Sequence, residues 1–527
     1  MAQISLFDGN NKFEIDKPIR LIELFGGYGS QAFALKYLGA NFEHWKLCEW
    51  AVKSIQAYKD AHFPNDNTDY SKYWTDEHIV DCLNKWQISS NYNEPMTLEQ
   101  IKRLGSEKQR VIFNNICATH NLVNIQQVKG RDLQIVDTDK YCYVMTYSFP
   151  CQDLSSAGLG KGMEKGSGTR SGLLWEVERI LDELNGGGYS LPQVLLMENV
   201  PEVIGTNNVK HFASWLAKLE SLGYHCYWQV LNAKDYGVPQ NRERCFMVSV
   251  LGDYWYEFPQ KQKLEIKLKD VLEDEVDEKF YLSDKMLNFF VENSKNNEEK
   301  GNGFRFKPID KENAEVGKTI TTRNGSRMDD NFIAEPIACE LRCDEGIRTF
   351  EDNVMGTLRT IDACGGKHII EPQVIGGIGE KKSNNGTQWY QQDRIYDDNV
   401  AISITTGFNP YYTIKTKNKR IKELVNKMDL TQDNQFMDIY NQTTSENAGT
   451  ITTRVDASNS TAVYTDYRIR KLTPKECFRL MGVKDQDFEN IAQNQSNASL
   501  YHLAGDSIVV DVLMGIFRNM LKNSCNN

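Results

Sequence analysis

The sequence predicts an α/β fold on a mostly parallel sheet, and three observations point there. Five apolar runs rich in β-branched or aromatic residues have the length of buried strands. Each is followed closely by glycines or by a residue able to bind or react, and ligands of open α/β sheets bind outside the carboxyl ends of the strands. The stretch 30–38 after the first run reads as a helix closed by Gly39, so strand and helix alternate from the start.

In order, residues 19–24 run into Phe25-Gly26-Gly27-Tyr28-Gly29, and residues 44–48 end at Glu49-Trp50. Residues 122–128 precede Gly130-Arg131-Asp132-Leu133. Residues 141–147 lead into Ser148-Phe149-Pro150-Cys151-Gln152, and residues 194–197 end at Glu198-Asn199-Val200. If the five strands are parallel, all five groups lie along one edge of one sheet.

The first two groups suit an adenosine ligand. Glycines at 27 and 29 let the backbone turn tightly and approach a ligand. Glu49 follows Gly29 by 20 residues, the spacing at which a carboxylate meets ribose hydroxyls, and Trp50 can stack on adenine. The third glycine of the dinucleotide fingerprint is missing, which disfavours NAD and leaves S-adenosylmethionine. Cys151 stands on the loop after a strand, where a thiol can act as a nucleophile.

Composition narrows the class. The chain has 527 residues, enough for two or three domains, and 40% are apolar. No apolar run reads as long enough to span a bilayer, and residues 1–11 lack a signal-peptide pattern. The 12 cysteines are scattered without a C-x-x-C pair, which argues for a reducing compartment and against a metal site. A net charge of −11 means that any nucleic acid must be met by a local basic surface.

With these groups in place the chain resembles the cytosine-5 DNA methyltransferases of bacterial and phage type. The landmarks occur in family order. They are Glu23-Leu24-Phe25-Gly26-Gly27-Tyr28-Gly29, Glu49-Trp50, Asp132-Leu133, Phe149-Pro150-Cys151-Gln152 and Arg170-Ser171-Gly172-Leu173-Leu174-Trp175. Glu198-Asn199-Val200 and Gln240-Asn241-Arg242-Glu243-Arg244 follow, then Arg470-Lys471-Leu472-Thr473-Pro474-Lys475-Glu476 and Gly505-Asp506-Ser507-Ile508 after a long gap. Asp506 departs from the family's usual asparagine, Ile508 from its valine, Ser30 from a common glycine and Glu23 from an aspartate.

The resemblance implies a Rossmann-like S-adenosylmethionine-dependent methyltransferase domain, with a mostly β target-recognition domain inserted before a C-terminal return segment. The implied boundaries are 1–255 for the main catalytic part, with 64–129 a helical insertion, 256–464 for target recognition and 465–527 for the return. It implies Cys151 as nucleophile toward carbon 6 of a flipped-out cytosine, Glu198 at ring nitrogen 3 and the exocyclic amine, and Arg242 and Arg244 on the base oxygen or a phosphate. Phe25, Gly27, Gly29, Glu49, Trp50, Asp132, Leu133, Pro150, Leu174, Asp506 and Ser507 are the implied cofactor residues. The implied setting is a monomer on double-stranded DNA in the cytoplasm of a bacterial or phage-infected cell, with a cognate restriction endonuclease as candidate partner and no membrane.

The middle region has its own features. A phrase recurs at residues 319–323, 356–360, 402–406 and 450–454, read as repeated β units, and Arg394-Ile395-Tyr396 fits the same domain. Lys415, Lys417, Lys419, Arg420 and Lys422 form a basic cluster suited to phosphates. Three other readings compete: a tRNA cytosine-5 methyltransferase, a catalytically inactive DNA-binding relative, and an amino-methyltransferase suggested by Asn409-Pro410-Tyr411-Tyr412, which lacks that family's second proline and lies far from the glycine turn. The long middle region favours a duplex reader, and the intact Cys151 and Glu198 favour an enzyme.

Overall fold

The computed structural model describes residues 11–150, 170–301, 303–311, 314–336 and 467–522, with short strands between 338 and 461. Two compact units result. The first comprises Met1–Val276, Phe289–Phe332 and Lys471–Asn527, the second Asp277–Asn288 and Ile333–Arg470. Against the expected boundaries of 256–464 and 465–527, contacts assign 256–276 and 289–332 to the first unit and 465–470 to the second.

The first unit is built on a six-stranded sheet. Its strands are β1 (Ile19–Leu24), β2 (Phe42–Cys48), β3 (Cys142–Tyr147), β4 (Val194–Asn199), β5 (Tyr224–Asn232) and β6 (Glu243–Leu251), in the spatial order β2-β1-β3-β4-β6-β5. The first four are mutually parallel, and β6 runs antiparallel to both neighbours. Every residue of β1, β3 and β4 is buried. Strands covered on both faces need apolar side chains at consecutive positions, which is why these runs read as continuous rather than alternating. Strand order reverses between β1 and β3, so the ends of these two strands flank a crevice.

Helices cover the sheet. α1 (Ser30–Tyr37) follows the glycine turn and α2 (Val52–His62) follows β2. α6 (Leu174–Gly186) and α7 (Val209–Ser221) flank β4 in sequence and bury Val177, Ile180, Leu181, Phe212 and Trp215 in the core with Met145, Tyr147 and Met197. The return segment folds as α8 (Pro474–Arg479), α9 (Asp485–Ala492), α10 (Asn497–Asp506) and α11 (Val510–Arg518). α11 packs on α1 and α9 on α2. Asp487 accepts from Lys36 Nζ and Tyr37 Oη at 2.6 Å each, and Leu521 bridges to Ile15. The apolar stretch Asn497–Arg518 is mostly buried within the unit.

Between α2 and β3 lie α3 (Asp76–Trp86), α4 (Leu98–Arg103) and α5 (Ser106–Ala118). Ile79, Leu83, Ile101, Ile112, Phe113 and Ile116 form a second core that takes in Ile55 of α2 and packs against Trp50.

One expected strand is absent. Residues 122–128 form a loop held to the end of β2 by Asn121, whose side chain accepts from Glu49 N at 3.0 Å and donates to Glu49 O at 2.9 Å. His120 and Val123 adopt positive φ of 49° and 64°, which a strand cannot contain.

In the second unit the fully buried Arg470 donates from Nε to Glu335 Oε1 at 2.8 Å, and Tyr281 donates to the other carboxylate oxygen at 2.5 Å. Arg394–Tyr396 pairs antiparallel with Val374–Gly377 and parallel with Tyr411–Tyr412. Of the recurring phrase, the copy at 319–323 belongs to the first unit and turns after the short strand Gly317–Lys318. The other three copies, the lysine-rich cluster, Asn409 and Pro410 lie outside the described residues.

Candidate active site

A cavity of about 820 Å³ opens at the carboxyl ends of the parallel strands, within the range of about 300–1,000 Å³ typical of small-molecule sites. All of its wall belongs to the first unit. Phe25 and Gly27 follow β1, Glu49 and Trp50 follow β2, Pro150 follows β3, and Glu198 ends β4. Because β6 is antiparallel, its amino end reaches the same edge and delivers Arg242 and Arg244. α10 and the residues after it add Asp506 and Ser507.

The cofactor end is pre-arranged. Phe25 and Gly27 have φ of 59° and 56°, so the chain doubles back after β1. Glu49 Oε2 accepts from Gly27 N at 3.1 Å and Oε1 from Ala51 N at 2.8 Å, which fixes the carboxylate against the glycine turn. Burial pushes the Glu49 carboxyl up to about 7 against these backbone N–H groups, and the nearby Asp506 charge pushes the same way. A Cβ at Gly27 would meet no atom within 4 Å, so the backbone there borders open cavity. An indole, a bare glycine backbone and a carboxylate on one wall suit an adenine, a close-lying amino-acid tail and a ribose diol. The residues present therefore fit an adenosyl donor.

At the other end stands Glu198, 8% exposed. Burial raises its pKa, while Arg244 and then Arg242 pull it down. Arg244 Nε lies 3.2 Å from Glu198 Oε1. The two arginines do different work. Arg242 is 3% exposed and donates to Ile320 O at 3.0 Å, Gly505 O at 3.0 Å and Ser507 O at 2.7 Å, tying three segments of the first unit together. Both arginines line the cavity, and the guanidinium of Arg242 is engaged there by backbone carbonyls while that of Arg244 meets Glu198. Asn199 Nδ2 donates to Phe149 O at 2.9 Å and so fixes the chain that follows β3, two residues before Cys151 in sequence. Cys151 itself lies outside the described residues.

The cavity thus brings together Phe25, Gly27, Glu49, Trp50, Pro150, Glu198, Arg242, Arg244, Asp506 and Ser507. Four expected residues are not part of its wall. Gly29 caps α1 at φ 83° and packs beneath His62 and Tyr58. Leu174 is fully buried in the core, while its neighbours Leu173 and Trp175 face the cavity. Asp132 Oδ2 accepts from Lys129 N at 2.8 Å and closes a short turn, and Leu133 is buried with its carbonyl bonded to Trp45 Nε1 at 2.8 Å. Asn124, Ile125 and Gln126 supply that part of the wall, steadied by Arg179, which donates to Ile125 O at 3.0 Å. Tyr92, Asn93, Pro95 and His502 were also missed. Positive φ at a tyrosine, the one local mark of Tyr92, is not visible in a sequence.

Comparison with known proteins agrees with this geometry. The model of the C-5 cytosine-specific DNA methylase family matches residues 106–522. The orphan methyltransferase M.SssI of Spiroplasma monobiae is 38% identical over 271 residues, 51% of this chain and 68% of that protein. The type II methyltransferase M2.ScrFI of Lactococcus lactis subsp. cremoris is 37% identical over 273 residues, 51% of this chain and 71% of that one. The orphan methyltransferase M.SPRI of Bacillus phage SPR is 27% identical over 462 residues, 80% and 92% of the respective chains. The chain belongs to the C-5 cytosine-specific DNA methylase family and is an S-adenosylmethionine-dependent DNA (cytosine-5-)-methyltransferase.

Proposed function

We propose that Glu198, Arg244 and Cys151 carry out the chemistry on a cytosine flipped out of duplex DNA, with Phe25, Gly27, Glu49 and Trp50 holding the methyl donor. The observation that carries this reading is a buried carboxyl of raised pKa in the same cavity as a glycine turn and a ribose-competent carboxylate. Carbon 5 of cytosine is a poor nucleophile. The Cys151 thiolate adds to carbon 6, forming the Sγ–C6 bond, and the displaced electron pair is accommodated as Glu198 gives a proton to ring nitrogen 3. Arg244 orients Glu198 and balances its charge once that proton has left. Carbon 5 is then nucleophilic. The donor, when bound, supplies an electrophilic methyl group on a sulfonium sulfur. As carbon 5 takes the methyl group, ring nitrogen 3 returns its proton to Glu198; carbon 5 then gives up its own proton to water or a side chain, and cleavage of the Sγ–C6 bond restores the ring double bond and regenerates the thiolate. Extrusion costs a few kcal/mol of unstacking, which contacts to the rest of the duplex offset.

We assign target recognition to the second unit and catalysis to the first. We further infer that the chain acts as a monomer in the cytoplasm of a bacterial or phage-infected cell, where a cognate endonuclease would cut the unmethylated site. A relative from a phage supports the phage-infected setting and a type II methyltransferase supports a cognate endonuclease, whereas the two relatives named orphan methyltransferases favour a chain that acts without one.

Trapping on duplex DNA carrying 5-fluorocytosine tests the chemistry. The wild-type chain is expected to form a donor-dependent covalent adduct, and Cys151→Ser none. An adduct that survives Cys151→Ser would overturn the assignment. Bisulfite sequencing of DNA from expressing cells would give the target site.

A further inference from the structure

The loop between α3 and α4 reaches the cofactor cavity. It begins where Ser89 forms a parallel bridge with Ala51, with Ser89 N donating to Trp50 O at 2.8 Å and Val52 N to Ser89 O at 2.9 Å. It ends where Met96 N donates to Ile88 O at 2.8 Å. The Ser89 hydroxyl donates to Glu94 O at 2.8 Å and accepts from Tyr92 N at 3.1 Å. The loop is therefore pinned to the residues that follow Glu49. At its tip Tyr92 has a φ of 64°, a left-handed conformation that strains a non-glycine residue. Strain of this kind persists where surrounding contacts over-determine it, and it gathers at ligand sites.

The Tyr92 ring stacks on His502 of α10, with centroids 4.1 Å apart and planes 11° from parallel. Both side chains line the cavity beside Glu49, Trp50 and Asp506. His502 Nδ1 lies 3.2 Å from Asp506 Oδ2, without hydrogen-bond alignment. Ser54 Oγ donates to Tyr92 Oη at 3.4 Å. The phenol is close enough to the Glu49 and Asp506 carboxylates for both charges to raise its pKa, after burial, the larger cause.

We propose that Tyr92 is a cofactor-binding residue supplied by the helical stretch: stacked on His502, it closes the cavity beside Glu49 and bears on the ribose of the methyl donor. The inference rests on the donor lying in this cavity with its ribose at Glu49. It makes the helices between α2 and β3 part of the cofactor site, so donor binding also stiffens them.

Calorimetric titration of the full-length chain with S-adenosylmethionine and with S-adenosylhomocysteine tests it, alongside thermal melting without ligand. Tyr92→Gly and Tyr92→Asn both tolerate positive φ and remove the ring. Each is expected to melt, ligand-free, at or above the wild-type temperature while binding both ligands about ten-fold more weakly, the size of one aromatic contact. Tyr92→Phe is expected to bind nearly as well as wild type, and KM for the donor should rise in Tyr92→Gly with kcat little changed. A wild-type chain that binds neither ligand overturns the donor's placement and the inference with it. A wild-type chain that binds them, with Tyr92→Gly and Tyr92→Asn binding equally well, overturns the inference alone.

Discussion

Arg244 Nε stands 3.2 Å from Glu198 Oε1, and the two meet because their strands run in opposite directions. β4 ends at the cavity and β6 begins there, so a carboxylate at one strand's end faces a cation at the other's start. Burial raises the carboxyl's pKa and the guanidinium limits the rise.

Arg244→Gln removes that restraint. Glu198 should stay protonated to higher pH, and activity that needs the protonated form should persist with it. The alkaline limb of kcat/KM for tritiated methyl transfer is expected to move to higher pH, with a lower maximum. Glu198→Gln should lower kcat by about a hundred-fold or more. A limb that does not move in Arg244→Gln would remove Arg244 as the charge partner.

Arg242 is expected to matter for stability first. Arg242→Met leaves the carbonyls of Ile320, Gly505 and Ser507 without this donor, at a cost of about 3 kcal/mol. Urea unfolding followed by tryptophan fluorescence should show a lower midpoint, with Arg242→Lys recovering only part because it lacks the planar fork.

The two glycines of the turn should separate. A Cβ at Gly29 would fall 2.3 Å from His62 Nε2 and 2.7 Å from Tyr58 Cε2. Gly29→Ala should therefore lower the melting temperature sharply. A Cβ at Gly27 meets nothing within 4 Å, so Gly27→Ala carries only a backbone penalty of about 1–2 kcal/mol and should chiefly weaken donor binding. Equal losses of stability in the two variants would contradict this division.

Glu23, 1% exposed, accepts from Tyr58 Oη at 2.5 Å and Ala32 N at 3.3 Å, and burial pushes it up to about 7. A raised carboxyl binds its proton more tightly folded than unfolded, so its contribution is present below about pH 4.5 and is lost as pH rises toward 7. His44, pushed down to about 4 by burial, acts oppositely and adds stability as pH rises from 4 to 6.5. Glu23→Gln removes one slope and keeps the other. Its stability relative to wild type should improve by about 3 kcal/mol between pH 5 and 8 in denaturant titrations, and a flat difference would refute the assignment.

Much of the sheet was legible because β1, β3 and β4 are buried on both faces, and burial of that kind writes itself as unbroken apolar runs. The glycine turn was legible because backbone reversal favours glycine, and Glu49-Trp50 because it directly follows a strand whose end opens on the cavity. Residues 122–128 misled because their apolar character serves a loop that packs against the core, with Asn121 replacing the ladder bonds.

The sequence by itself determined which groups stand at the ends of β1, β2, β3 and β4, since side-chain period and strand length are local properties. Tertiary structure decided what those groups face. It turned Arg242 toward three carbonyls and Arg244 toward a carboxylate, replaced Asp132 and Leu133 by Asn124 to Gln126, and carried Tyr92 onto His502 across 410 positions of chain. The physical reason is that these outcomes depend on antiparallel pairing and on packing between segments far apart in the chain, neither of which leaves a periodic mark in the amino-acid order.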